Sequence, residues 1–357
     1  MKANLVRVFF ALTGILLFCG QALAGPLDNW TWRNPLPNGN PVVGTNVLDS
    51  VVFTNGNFYA VGFLGTVASS SDGRFWTEYP SATTNQLTQI IYAGGQFVAV
   101  GNNGTIETST DAVNWVLQTS GVPNNLVSLA YANGIYLTCG GGQVLTSPDA
   151  VNWTFTPITK FRNLGAVAGS SFGFVGINGS TNVYFSTDGM NWTTNGLTAS
   201  GSVFNNESLV PQIVTYADGL FLVGAYRHAT SESANAYIFS SPDGTHWTAN
   251  LVGNFFTGFS EFFYNFFMTG SNDVIAAGEI GPSGPATSFL QFSTNGLNWT
   301  QVNGLPGTFP QGYGGAYGNG TYVILGYSSL YVSPDSLNWT NYPYVSSLSA
   351  GPDKHIR

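Results

Sequence analysis

Apolar residues in this chain come in short runs, broken at close intervals by Gly, Asn, Asp and Ser, and never at the spacing of a helical face. The stretch Leu87–Gln118, LTQIIYAGGQFVAVGNNGTIETSTDAVNWVLQ, shows the unit. A first strand (a) ends at Gly94-Gly95, and a second (b), QFVAVG, starts at once. NNG turns into strand c, TIETS, and a Ser-Thr-Asp turn delivers strand d, NWVLQ. Elsewhere the first turn is Asn55-Gly56, Asn133-Gly134, Asp218-Gly219 or Asn319-Gly320. Such pairs tolerate the positive φ of a two-residue hairpin. The pattern predicts strands throughout and no helix beyond the first residues.

The unit repeats. SSDGRFW, beginning at Ser70, returns as STDAVNW, SPDAVNW, STDGMNW, SPDGTHW, STNGLNW and SPDSLNW. The closing residues are Trp76, Trp115, Trp153, Trp192, Trp247, Trp299 and Trp339, separated by 39, 38, 39, 55, 52 and 40 positions. A period near 40 is that of a four-stranded propeller blade. The expected fold is therefore all-β: a seven-bladed β-propeller of four-stranded antiparallel blades over residues 46–345, with eight blades as the alternative. NWTWRNPLP, from Asn29, looks like a spare strand d, so residues 25–45 are a candidate ring-closing segment and 346–357 a tail.

Seven copies of a motif around a ring suit a turn better than a reactive site. An Asp carboxylate in the c–d turn can accept backbone N–H bonds from the residues that follow and lock the hairpin. Asp72, Asp111, Asp149, Asp188, Asp243 and Asp335 take that role, and Asn295 replaces the carboxylate in the sixth copy. An amide can still accept those bonds but cannot act as an acid. Each Trp offers a large ring to bury between blades and an indole N–H that needs one acceptor.

At these residues, Ser-x-Asp-(x)-Gly-x-x-Trp, the chain resembles the Asp-box, or bacterial neuraminidase repeat, of the sialidase-type propeller superfamily. The resemblance covers most of residues 46–345. It implies the propeller fold, and it extends to carbohydrate-binding proteins and photosystem assembly factors as well as enzymes. A sialidase would hold its substrate carboxylate with three arginines and use a Tyr activated by Glu plus an Asp acid. Here WRNP stands where Phe/Tyr-Arg-Ile-Pro is expected. After the first 24 residues only Arg33, Arg74, Arg162, Arg227 and Arg357 remain, and Arg74 lies inside a turn motif. A non-sialidase member is the expectation. The photosystem II stability propellers, also resembled, imply an arginine-rich patch that five scattered arginines do not supply.

The amino terminus sets the compartment. Lys2 and Arg7 precede the apolar run VFFALTGILLFC, and QALA offers a small-x-small cleavage site before Gly25. Residues 1–24 read as a secretory signal peptide, and a secreted or periplasmic protein is expected. Cleavage leaves seven basic residues against 17 acidic ones, a net charge of −10. That excludes a basic stripe for nucleic acid and disfavours an anionic membrane surface. Cys139 then has no disulfide partner and reads as a small core residue. No His-Glu-x-x-His, paired cysteines, phosphate loop or calcium loop is present. No metal or cofactor, no membrane insertion and a monomer are the expectations.

In a propeller the a–b and c–d turns share one face, and the b–c and d–a loops occupy the other. Function is expected opposite the Asp turns, where loops are free to vary. Blades five and six carry about 15 extra residues each, read as long loops, TASGSVFNNESLVPQ, AYRHATSESANAY and GEIGPSGPATS. Candidate ligand-binding residues are Arg162, Glu207, Arg227, His228, Glu232 and Glu279. Asp49, Gln89 and Gln212, early in inner strands, are placed near the channel mouth. The expected function is a non-catalytic binding or scaffold module for a glycan or an extracellular protein. The alternative is a glycoside hydrolase with a carboxylate pair among Asp49, Glu207, Glu232, Glu261 and Glu279.

Overall fold

The computed structural model describes residues 47–156, 163–197, 209–229, 233–256, 261–281, 287–302, 312–326 and 329–343. These form seven four-stranded antiparallel sheets, each built from four consecutive strands in the order a-b-c-d. The seven inner strands are Leu48–Thr54, Leu87–Ala93, Ser128–Ala132, Ala166–Ser170, Leu209–Ala217, Glu261–Thr269 and Gly312–Gly318. The expected seven-bladed propeller is the fold. Among the described residues the only helical pieces are single 3₁₀ turns at Phe63–Gly65 and Asn102–Gly104, and no helix is long and apolar enough to cross a membrane.

The first hairpin turns adopt the conformation their residues allow. Asn55, Asn133, Asp218 and Asn319 have φ of 49–51°, and the glycine after each lies at 72–81°. The Ser-x-Asp turns form one repeated network. In blade two, Ser109 Oγ donates to Asp111 Oδ1 at 3.0 Å, and that oxygen accepts the N–H groups of Val113 and Asn114 at 2.9 and 2.8 Å. Asn295 accepts the same two backbone bonds, at 2.9 and 2.8 Å, through its amide oxygen. The indole N–H turns back on its own hairpin: Trp115 donates to Ala112 O at 3.1 Å, and five other closing tryptophans do likewise. Trp247 is the exception, its buried Nε1 having no partner.

Seven hydrophobic clusters hold the ring, and each spans one blade-to-blade junction. Trp115 of blade two packs with Val61 and Val67 of blade one. Trp192 of blade four packs with Leu137, Cys139 and Val144 of blade three. The same relation closes the circle, because Trp76 and Phe58 of blade one share a cluster with Val323, Leu325 and Leu330 of blade seven. Asn319 Nδ2 of blade seven also donates to Gly56 O and Ser71 O of blade one, at 2.9 and 3.0 Å. Blade seven supplies all four of its own strands, ending at Thr340–Pro343. The candidate closing segment 25–45 and the proposed signal peptide lie outside the described residues.

One expectation is corrected. The extra residues of AYRHATSESANAY are mostly strand rather than loop: strand b of blade five runs Leu220–Ala229 and strand c Ser233–Ser241. The pairing continues through Arg227↔Asn235, His228↔Ala234 and Ala229↔Ser233. In blade six, GEIGPSGPATS likewise pairs Glu279↔Ser288 and Ile280↔Thr287. Extending a ladder satisfies each added backbone group internally, which a long irregular loop cannot do. Strand b of blade five is ten residues long against six in blade one. At the rise of an antiparallel strand, the extra four residues raise this sheet by about 13 Å.

Candidate functional site

The inner strands share an irregularity. In blades one, two, five, six and seven the pairing of strand a with strand b slips by one residue near the start of strand a. The bulged residues are Asp49, Thr88, Gln212, Asn265 and Tyr313. A β-bulge of this kind re-aims a side chain and breaks the regular alternation. All five line one axial cavity of about 350 Å³, to which every blade contributes. Val127 occupies the matching place in blade three and lines it too.

A second layer of side chains joins the inner strands to one another. Strand a presents an open edge to the channel, so its N–H groups lack ladder partners. Ser50 Oγ accepts the Ile90 N–H at 3.2 Å, Gln89 Oε1 that of Leu129 at 2.6 Å, Ser128 Oγ that of Val167 at 3.1 Å, and Gln212 Oε1 that of Tyr264 at 2.8 Å. Gln89 and Gln212 line the channel, but their carbonyl oxygens are committed to the next blade.

Asp49 is different. It is the sole carboxylate among the described lining residues, none of which is basic. Gln86 Nε2 donates to its Oδ2 at 2.7 Å, and Asn102 Nδ2 holds Gln86 Oε1 at 3.2 Å. Burial pushes its carboxyl up to about 6, with the Gln86 amide opposing.

The surrounding loops are held by side chains whose role the sequence reading missed. Glu107 is completely buried. It accepts the Ser81 hydroxyl at 2.8 Å and the Ala82 N–H at 3.0 Å, and burial raises its carboxyl pKa against those bonds. It thereby anchors the d–a loop that carries Gln86. The signal was there to read: Glu107 stands in strand c where the other blades have Ala68, Leu145 or Tyr184.

The remaining nominated residues are not gathered by the described structure. Arg227, His228 and Glu279 are placed by strand pairing on the extended hairpins of blades five and six. Glu261 opens the inner strand of blade six. Arg162, Glu207 and Glu232 lie outside the described residues. No group of three or more His, Cys, Asp or Glu side chains among the described residues could hold a metal.

No known sequence family and no curated protein matches the chain. Solved structures do. Virginiamycin B lyase from Staphylococcus aureus is 11% identical, with a TM-score of 0.56 over 81% of this chain and 94% of that one. YCF48 from Cyanidioschyzon merolae is 12% identical with a TM-score of 0.54, over 82% and 94%. The extracellular domain of the putative hybrid two-component system BT4673 from B. thetaiotaomicron is 9% identical, with a TM-score of 0.58 over 82% of this chain and 39% of that one. At such identities the likeness is one of fold: all of these share the propeller architecture.

Proposed function

We propose that this chain is an exported, non-catalytic binding module of the Asp-box propeller superfamily, working through the face opposite its Ser-x-Asp turns. One observation carries the reading. Five bulges at one position of five inner strands aim unlike side chains, Asp, Thr, Gln, Asn and Tyr, into a single axial mouth. Thr88 and Gln212 also bond the next blade, at Leu126 O and the Tyr264 N–H, and the five positions still differ in kind, with a carboxylate at only one of them. The lengthened b–c hairpin of blade five extends from the same end of that sheet as the start of its inner strand, where Leu209 pairs with Arg227. YCF48, a propeller of the same architecture, has been solved bound to D1 peptide, which supports a peptide among the ligand classes. The leader-like residues 1–24 support export.

A second reading is a glycoside hydrolase, favoured by the raised carboxyl of Asp49 in a cavity. Retaining and inverting mechanisms both need a second carboxylate, for which Glu207, Glu232, Glu261 and Glu279 are the nominees. A panel of aryl-glycosides and a glycan array, run on the same protein, separate the two. Capture without turnover supports the binding module. Turnover lost on Asp49→Asn, Glu232→Gln or Glu279→Gln would replace it with the hydrolase.

A further inference from the structure

Beside the start of the first inner strand, the b–c turn of blade one carries Phe63-Leu64-Gly65. The Phe63 N–H donates to Val47 O at 2.8 Å, so the turn is tied to the chain two residues, about 7 Å of backbone, before Asp49. Leu64 has φ 55° and ψ 31°, the left-handed conformation. The matching residue is Asn103 at φ 56° in blade two and Gly141 at 53° in blade three, and both types adopt it readily. Leucine does not, at a cost of about 1 kcal/mol.

The turn is closed by the Thr66 N–H and hydroxyl on Phe63 O, at 3.1 and 2.7 Å, and the same bonds close the Asn103 turn of blade two, so none of them calls for a leucine. Leu64 is 54% exposed and Phe63 46% exposed, so neither contributes much to a core. An exposed apolar pair on a loop face, with Leu64 of the two held in an unfavourable conformation, points to an external contact. Two further apolar side chains, Val127 at 43% and Tyr313 at 36% exposure, line the same mouth. Its polar character is one-sided: a carboxylate with a single neutral donor and no basic neighbour among the described lining residues, in a chain of net charge −8.

We propose that this mouth, with Phe63-Leu64 beside it and Asp49 within it, docks a protein segment presenting a basic side chain flanked by apolar residues. The cation meets Asp49 and the flanking residues cover Phe63-Leu64. A volume of about 350 Å³ admits one long side chain and excludes a folded element. The proposal rests on the reading that this face is the binding face, and it selects a protein ligand over a glycan.

The test uses the full chain and fluorescently labelled pentapeptides with central Lys or Arg between Leu, Val or Phe, against matched peptides with central norleucine. Fluorescence anisotropy is expected to show saturable binding of basic peptides, at least tenfold weaker for norleucine. Asp49→Asn is expected to weaken the basic peptides at least tenfold. Leu64→Asn is the sharper variant, because asparagine suits the left-handed turn: the melting temperature rises while affinity falls at least fivefold. Equal binding of basic and norleucine peptides, no saturable binding by any of them, or Leu64→Asn without effect on affinity overturns the proposal. Neutral glycans captured in an Asp49-dependent way, with no peptide capture, also overturn it but leave the binding face standing. Loss of both ligand classes removes the broader reading as well.

Discussion

Replacing Gly73 by alanine asks whether blades seven and one are closed by side chains in contact. Gly73 follows Asp72 in the first Ser-x-Asp turn, at φ 74°. The matching residue in blade two is already alanine, Ala112 at φ 61°, so the turn itself accepts a methyl at about 1 kcal/mol of backbone cost. The neighbour makes the difference. A Cβ on Gly73 would overlap Cγ2 of Val323, a fully buried residue of strand b in blade seven. Valine has little χ1 freedom with which to move aside. Overpacking of this kind costs about 1–3 kcal/mol, for a total of about 2–4 kcal/mol with the backbone term. In a domain of this size each kcal/mol moves Tm by roughly 2 °C, so Gly73→Ala should lower it by about 4–8 °C. Urea unfolding of Gly73→Ala, Val323→Ala and the double variant measures the coupling directly. Removing the obstructing methyl should return about 1–3 kcal/mol of the glycine variant's loss. A Gly73→Ala cost no larger than the turn penalty, or strict additivity of the two changes, would refute the packed seam.

Three further outcomes follow from the same structure. Asp49 has its folded-state carboxyl raised to about 6 from 3.8 by burial, so the native state holds the proton more tightly and stability falls as pH rises through that window; Asp49→Asn should remove this slope and gain on the order of 1–2 kcal/mol at pH 7 after allowing for solvent screening, read by urea unfolding at pH 4 and pH 7. Asp335 shows the opposite sign: the backbone N–H of Asn338, first among its donors, lowers its carboxyl to about 2, so its contribution is complete above about pH 4 and is lost as pH falls through the folded value. Asp335→Asn should flatten the stability profile between pH 4 and 2, with Asn295 showing that an amide is accommodated. Gln89→Ala leaves the Leu129 N–H without its acceptor, which should cost about 1–2 kcal/mol and be seen as faster hydrogen exchange at that amide; unchanged exchange there would show that the glutamine does not join the blades.

The propeller was legible because its signals are local and repeated. Asn55-Gly56 needs only its own φ angles to form a hairpin, and Asp111 needs only the two N–H groups that follow it. Spacing between tryptophans then counted the blades. The candidate site was only partly legible. Asp49, Gln89 and Gln212 could be placed at the channel by position in strand a, but the bulge at Asp49 and the commitment of both glutamines could not, since each depends on another blade. The insertions misled for a related reason: polar residues such as Arg227 and His228 read as loop, whereas a neighbouring strand of matching length made them ladder. Glu107 and Leu64 were overlooked because each looks ordinary until its repeat counterparts are laid beside it.

The residues alone therefore determined the repeating hairpins, the turn chemistry and the ring of tryptophans, all of which arise from contacts a few positions apart. Tertiary structure alone decided that Asp49 meets Gln86, 37 positions away, and that Gln89 holds Leu129, 40 positions away. Closing the ring brings unlike residues of successive blades to one axis, and it is there that burial raises the carboxyl of Asp49, which its place in strand a locates near the channel without showing how deeply it is enclosed.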